Sequence, residues 1–264
     1  MFRRTYFPAL LAAVSLTAFA AYGDNYQARH WHRFADTFPT ATPIKHLVII
    51  YNENVSFDHY FATYPHATNP AGEPVFVAAA GTPKINGLSG AVLTSNPNFT
   101  NTANGTGASN PFRLDRTQAA TADQNHAYTA EQQAYDNGAA DLFPKYTGKG
   151  SSGGAGAFGT KGQVMGYYDG NTVTAMWNYA QRFAMSDNAY TDTYGPSTPG
   201  ALEAIAGQTN GMQIVKSSRN SYYVNDTQGG LTMINDVDPG YDVCSSTTDQ
   251  AMMSGKNIGD LLNA

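Results

Sequence analysis

The chain has 264 residues and a net charge of −5, and only 13% of its residues are charged. Aromatic residues make up 12%, with 17 Tyr and 13 Phe. Disordered chains are poor in aromatic residues and rich in charge, so the composition excludes disorder over most of the length. Without a basic surplus to hold a phosphate backbone, the composition also argues against nucleic-acid binding.

The first 20 residues have the pattern of a signal peptide. Arg3 and Arg4 precede an apolar stretch of small residues and Leu, which ends in an A-x-A cleavage pattern at Ala18–Ala20. We therefore expect residues 1–20 to be removed and the protein to be secreted or periplasmic. No later stretch approaches about 20 apolar residues, so the mature chain is expected to have no transmembrane segment.

A first strand is predicted at Ile44–Tyr51, a β-branched apolar run typical of a buried strand in a parallel sheet. Glu53 and Asn54 follow it directly, and a helix is predicted to begin after Ser56. Ligand sites of open α/β sheets lie at the carboxyl ends of strands. The Glu53 carboxylate and the Asn54 amide therefore suggest a metal site, although ordinary loop polarity and turn capping would give the same pattern.

The rest of the chain alternates between loops, helices and short strands. Residues 63–115 are rich in Pro, Asn, Gly and Thr and predict a long loop with short strands at 75–77 and 91–94. The later helices are predicted at Thr129–Asp141, Thr172–Phe183, Thr198–Gly207 and from Asn257 onward. Strands are expected at Ala184–Tyr190 and within Ile214–Val224. This order of strands and helices predicts the α/β class.

Two further residues could carry chemistry. Ser197 lies in a Gly-Pro-Ser-Thr-Pro-Gly segment just before a predicted helix, where free N–H groups and the positive end of the helix dipole can hold phosphate oxygens. A hydroxyl in that place can attack phosphorus, or it can simply cap the helix. The G-x-S-x-G elbow of α/β-hydrolases is absent. His126 could protonate a leaving oxygen, or it could be an ordinary surface histidine.

Three sequence blocks, in this order, resemble the bacterial phosphoesterase family that joins phospholipases C and acid phosphatases. The blocks are residues 44–61, residues 123–132 with the sequence DQNHAYTAEQ, and residues 186–200 with the sequence SDNAYTDTYGPSTPG. The resemblance implies an alkaline-phosphatase-like fold, with a mostly parallel sheet flanked by helices. It also implies a phosphomonoester or phospholipid substrate, and the Ser197 context looks more like the acid phosphatase branch.

The same resemblance implies roles for particular residues. Glu53 and Asn54 match metal ligands, Ser197 matches the nucleophile and a further ligand, and His126 matches a residue of the phosphate pocket. A divalent metal ion of unknown identity is therefore expected as cofactor. The resulting hypothesis is a secreted phosphoric ester hydrolase with a metal-activated serine. The alternative is a secreted carbohydrate-binding or surface-interaction protein, favoured by the many Tyr, Asn and Gly residues.

One part of the family pattern has no counterpart here. The family has a later Asp-Asp block that supplies further metal ligands, and Asp236, Asp238 and Asp242 do not fit it. The chain also stops within a predicted helix, and its lone Cys244 suggests a missing partner. We therefore expect residues 21–264 to be the N-terminal, incomplete part of a single phosphoesterase catalytic domain, inactive by itself.

Overall fold

The computed structural model describes residues 36–217, 220–242, 244 and 248–262. The chain divides into two compact units, Met1–Asn52 and Glu53–Ala264. The signal peptide predicted at residues 1–20 lies outside the described residues.

In the first unit, the segment Ile44–Tyr51 forms no strand. Its apolar side chains are exposed to solvent, with Leu47 80% and Ile50 84% exposed. The predicted buried strand is therefore wrong for this structure. An interior strand needs hydrogen-bonded neighbours on both edges, and the described residues of this unit, 36–52, form no strand.

The second unit contains short helices because Gly, Pro and Asn interrupt the chain often. Those in the described residues are α1 (Phe57–Phe61), α2 (Ala91–Thr94), α3 (Pro97–Thr100), α4 (Tyr128–Tyr135), α5 (Phe143–Tyr146), α6 (Thr174–Ala180), α7 (Ser197–Ala206) and α8 (Ile258–Leu262). The predicted helix at Thr198–Gly207 is confirmed as α7. Gly207 ends it in the left-handed region at φ 67°, where glycine is favoured.

The strands of the second unit are also short, and they form small separate sheets. They are β1 (Phe112–Arg113), β2 (Gly166–Tyr167), β3 (Met212–Lys216), β4 (Tyr223–Asn225), β5 (Leu231–Met233), β6 (Asp238–Pro239) and β7 (Gln250–Met253). β1 pairs with β2 in parallel, β4 with β5 antiparallel, and β7 lies between antiparallel β3 and parallel β6. The α/β class is thus confirmed as a mixed arrangement, not as one mostly parallel sheet.

Several predicted elements differ in the structure. Residues 75–77 and 184–190 form no strand, and the strand predicted at 91–94 is helix α2. The helix predicted at Thr129–Asp141 ends at Tyr135, because Asp136 and Asn137 have φ of 44° and 54°. These left-handed angles cannot continue an α-helix. Local hydrophobic patterns therefore overestimated the length of regular structure.

Two clusters of buried side chains hold the second unit together. The aromatic cluster consists of Tyr64, Phe76 and Trp177. The methionine cluster consists of Met212, Met233, Val237 and Ala251, and Leu202 of α7 packs against it. The methionine cluster therefore fixes α7, and with it Ser197, against the sheet formed by β3, β7 and β6.

Candidate active site around Ser197

Ser197 is the first residue of α7 and lies in a turn that we call the serine turn, Gly195–Thr198. Gly195 has φ of 108°, a conformation that L side chains rarely adopt. A Cβ at this position would also lie only 3.1 Å from the Cα of Tyr128. Glycine is therefore required here both by backbone angle and by the close approach of α4. Pro196 and Pro199 on either side of the serine restrict the turn further.

The structure brings Ser197 and Glu53 together from opposite ends of the sequence. The Ser197 hydroxyl donates a hydrogen bond to Glu53 Oε1 at 2.7 Å, across 144 residues of chain. Ser197 is half-buried and Glu53 is exposed. A substrate can therefore reach the hydroxyl while its proton points to a carboxylate.

Asn54 and His126 are not joined to this pair. Asn54 is exposed, and within the described residues no hydrogen bond links it to Ser197 or Glu53. His126 Nδ1 lies 3.0 Å from the carbonyl oxygen of Gln124 and 3.7 Å from Asp123 Oδ1. If Nδ1 donates to that carbonyl, Nε2 is left as the nitrogen that can exchange a proton with another group.

Glu131 connects the helix that follows His126 to the serine turn. Its Oε2 accepts a hydrogen bond of 2.7 Å from the Gly195 N–H. Burial raises the pKa of Glu131, while the Gly195 N–H and the nearby His126 act in the opposite direction. Sequence reasoning assigned Glu131 no role, although it lies within the second sequence block.

Asp236 contacts the serine turn from the other side. Its Oδ1 accepts a hydrogen bond of 2.8 Å from the backbone N–H of Thr198, 38 residues away. A carboxylate near the N-terminal end of a helix is stabilised by the helix dipole. Asp236 matches no block of the family pattern, and no local pattern around it predicts the contact.

The oxygen-rich surroundings of Ser197 suit a hard divalent cation. The Glu53 carboxylate and the Ser197 hydroxyl lie 2.7 Å apart, and the Asn54 amide follows Glu53 in the chain. Carboxylate, amide and hydroxyl oxygens are the donors that such ions prefer. In the described part of the chain, no group of three or more His, Cys, Asp or Glu residues could hold a metal ion. Glu53, Asn54 and Ser197 can therefore supply part of a ligand set, in which the Glu53 carboxylate is the charged donor.

An apolar groove begins at Ser197 and Thr198 and runs between α7 and β7. Its volume is about 400 Å³, and its walls include Leu202, Ile205 and Met252. This size lies within the range of small-molecule pockets. The groove therefore provides an apolar surface next to the serine hydroxyl.

In the described residues, no helix has the length and apolar character needed to cross a membrane.

The sequence matches a known family over most of its length. The model of the Phosphoesterase family matches residues 44–262, a range that contains all three sequence blocks together with Glu53, Ser197 and Asp236. The chain therefore belongs to the phosphoesterase family.

Proposed function

We propose that this protein is an exported phosphoric ester hydrolase in which Ser197 is the nucleophile. Family membership supports the general class of reaction, the hydrolysis of phosphoric esters. The observation that carries the finer proposal is the 2.7 Å hydrogen bond from the Ser197 hydroxyl to Glu53. Family membership also favours this enzyme over the carbohydrate-binding alternative.

The proposed reaction has two steps. Ser197 Oγ attacks phosphorus as its proton leaves toward Glu53, so a serine O–P bond forms and the ester P–O bond breaks. His126 supplies a proton to the departing alcohol oxygen. In the second step water attacks the phosphoserine and gives a proton to His126, while the Ser197 oxygen leaves and takes back the proton held by Glu53. The product is inorganic phosphate from a phosphomonoester, or the headgroup phosphomonoester from a phospholipid.

A divalent metal ion belongs to the proposal because the site is acidic. Glu53 and Asp236 both lie close to the serine turn, and carboxylates repel a phosphate dianion. Glu53, Asn54 and Ser197 would hold the ion. When bound, it would lower the proton affinity of the serine hydroxyl and neutralise phosphate charge.

The narrower assignments rest on sequence. Export rests on the signal-peptide pattern of residues 1–20, and the alkaline-phosphatase-like arrangement rests on the family resemblance. The apolar groove beside Ser197 is compatible with an aryl or alkyl phosphomonoester and with part of a phospholipid. The proposal therefore covers both the acid phosphatase and the phospholipase C type.

The central test is Ser197→Ala, assayed with p-nitrophenyl phosphate in the full-length protein. Loss of the nucleophile should lower kcat by several orders of magnitude, on the scale of about 10⁴–10⁶-fold seen when a covalent nucleophile is removed. Acid quenching during turnover should trap phosphoserine in the wild type and none in the variant.

Ser56→Ala is a matched control, because the Ser56 hydroxyl precedes α1 without capping it. It should retain wild-type kcat. Full activity in Ser197→Ala, or phosphoserine trapped at another residue, would disprove the assignment. Ser197→Thr should retain partial activity, since its hydroxyl can still attack.

Glu53→Gln tests the metal proposal. Replacing the carboxylate by a neutral amide should weaken metal binding by about 10–100-fold, a loss comparable to that from mutating residues around a metal site. Elemental analysis after dialysis and a calorimetric titration measure the effect. Glu203→Gln on α7 is the control, because Glu203 lies six residues after Ser197 on the same helix and its side chain makes no described hydrogen bond to the serine turn. Equal metal content in both variants would contradict the role of Glu53.

A further inference from the structure

The serine turn is held by carboxylates at both of its ends. Glu131 accepts from the N–H of Gly195 at 2.7 Å, and Asp236 accepts from the N–H of Thr198 at 2.8 Å. Between these two contacts lie only Pro196, which has no N–H group, and Ser197. Asp236 therefore restrains the peptide unit directly after the serine, and Glu131 restrains the Tyr194–Gly195 peptide unit that leads into the turn.

The chain anchors each carboxylate on a packed element. Glu131 lies in the first turn of α4, where its neighbour Ala130 is buried. Asp236 lies next to Val237 in the methionine cluster, against which α7 also packs. Asp236 and α7 are therefore held by the same cluster and Glu131 is held by α4, so that a hydrogen bond at each end can determine where the serine side chain points.

The three acidic residues contact different groups of the serine turn. Glu53 bonds to the Ser197 side chain, whereas Glu131 and Asp236 bond only to the backbone of the turn. Backbone N–H groups at the start of this helix were expected to be free to hold phosphate oxygens, but the Thr198 N–H is already occupied by Asp236. Pro199 offers no N–H to replace it.

We propose that Glu131 and Asp236 form a two-sided clamp that aims the Ser197 hydroxyl at Glu53 and the substrate phosphorus. They are positioning residues, since they act through the backbone of the turn. Displacement of a reacting group by about 1 Å can cost about 100-fold in rate. The clamp therefore contributes to kcat more than to substrate affinity. This inference rests on the proposed role of Ser197.

The test compares Asp236→Ala and Glu131→Ala with Asp236→Asn and Glu131→Gln in the full-length protein. Each alanine variant should lower kcat for p-nitrophenyl phosphate by roughly 10–100-fold, with KM changed less than about threefold. The amide variants keep a carbonyl oxygen that can accept the same N–H, so they should recover most of the lost rate.

Asp226→Ala is the matched control. Asp226 Oδ1 accepts from the N–H groups of Gln228 and Gly230 in the turn between β4 and β5, away from the serine turn. This variant loses a comparable acceptor and should keep its kcat. If it loses as much kcat as Asp236→Ala, the clamp is only a contribution to stability and the proposal fails.

Two other results would overturn the proposal. If Asp236→Ala binds inorganic phosphate more tightly and lowers KM, then Asp236 competes with phosphate for the Thr198 N–H instead of positioning the serine. If Asp236→Asn loses as much kcat as Asp236→Ala, then the rate depends on the negative charge of Asp236 and not on its hydrogen bond from the Thr198 N–H.

Amide hydrogen exchange separates this proposal from the proposed function. Removing Asp236 should speed exchange of the Thr198 amide, and removing Glu131 should speed exchange of the Gly195 amide. These readouts do not depend on activity and remain available if Ser197→Ala proves fully active. Unchanged exchange in both alanine variants would show that no clamp exists, even if Ser197 is the nucleophile.

Discussion

The serine turn and the aromatic cluster are both built from distant parts of the chain, but they differ in whether their polar groups are buried or exposed to solvent. At the aromatic cluster, the Trp177 indole N–H donates to the Tyr60 carbonyl oxygen at 2.7 Å, and Trp177 is 0% exposed. At the serine turn, carboxylates gather around a half-buried hydroxyl that solvent can reach. One region is closed, and the other is accessible to a ligand.

The charges next to these two regions show the same contrast. Asp169, which is 1% exposed, lies 2.8 Å from the Arg113 guanidinium and also accepts hydrogen bonds from Thr68. Burying a carboxylate destabilises a fold unless the charge is paired and hydrogen-bonded, and Asp169 meets both conditions. Glu53 and Asp236 at the serine turn have no such cation among their described hydrogen bonds. This excess of negative charge distinguishes the candidate site from the supporting core.

The largest effect on activity among further variants is expected for His126→Ala. Loss of a general acid should lower kcat by about 10²–10⁴-fold on alkyl phosphates. The loss should be smaller on p-nitrophenyl phosphate, whose leaving group scarcely needs a proton. Equal losses on both substrates would point to phosphate binding instead, and an unchanged rate on both would remove His126 from the site.

The next largest effect is expected at the aromatic cluster, and there on stability. Trp177→Ala removes a fully buried ring that meets Phe76 edge-to-face at 5.0 Å, so it should cost about 3–5 kcal/mol in the free energy of unfolding. Urea denaturation measures the loss. Tyr190→Ala, at a side chain 84% exposed, should change it by less than about 0.5 kcal/mol. Similar losses of unfolding free energy in both variants would contradict the assignment of Trp177 to the core and Tyr190 to the surface.

The smallest expected effect is an opposite pH dependence of the two regions. Burial acts to raise the pKa of Asp169, but hydrogen bonds from Arg113, Thr68 and Asn171 outweigh it and hold the pKa below its ordinary value of 3.8. The stability that Asp169 contributes should therefore be full above pH 3.8 and lost as the pH falls further. The difference in the free energy of unfolding between the wild type and Asp169→Asn should therefore become smaller as the pH falls below 3.8.

Glu131 should behave in the reverse sense. Its pKa lies above the ordinary value of 4.5 because of burial, so its contribution is full below pH 4.5 and declines as the pH rises through the raised value. Glu131→Gln should remove this decline from the free energy of unfolding, measured by denaturation between pH 4 and 8. A decline that persists in the variant would assign it to another group.

Part of the site could be predicted from sequence, because some constraints are local. The Gly-Pro-Ser-Thr-Pro-Gly segment specifies a turn with a serine at a helix start, since Gly195 permits positive φ and Pro199 suits the first turn of a helix. The end of α7 at Gly207 follows from the same local chemistry. The three sequence blocks, in their order, carried the resemblance to the phosphoesterase family.

Tertiary structure decided what local patterns leave open. The apolar run at Ile44–Tyr51 has strand character, yet a strand forms only where other strands supply hydrogen bonds. The contacts of Ser197 with Glu53 and of Thr198 with Asp236 span 144 and 38 residues, so no local spacing encodes them. The contact with Asp236 arises because α7 and Val237, the neighbour of Asp236, pack in the same methionine cluster, whereas Glu53 reaches the helix end from the distant segment before α1.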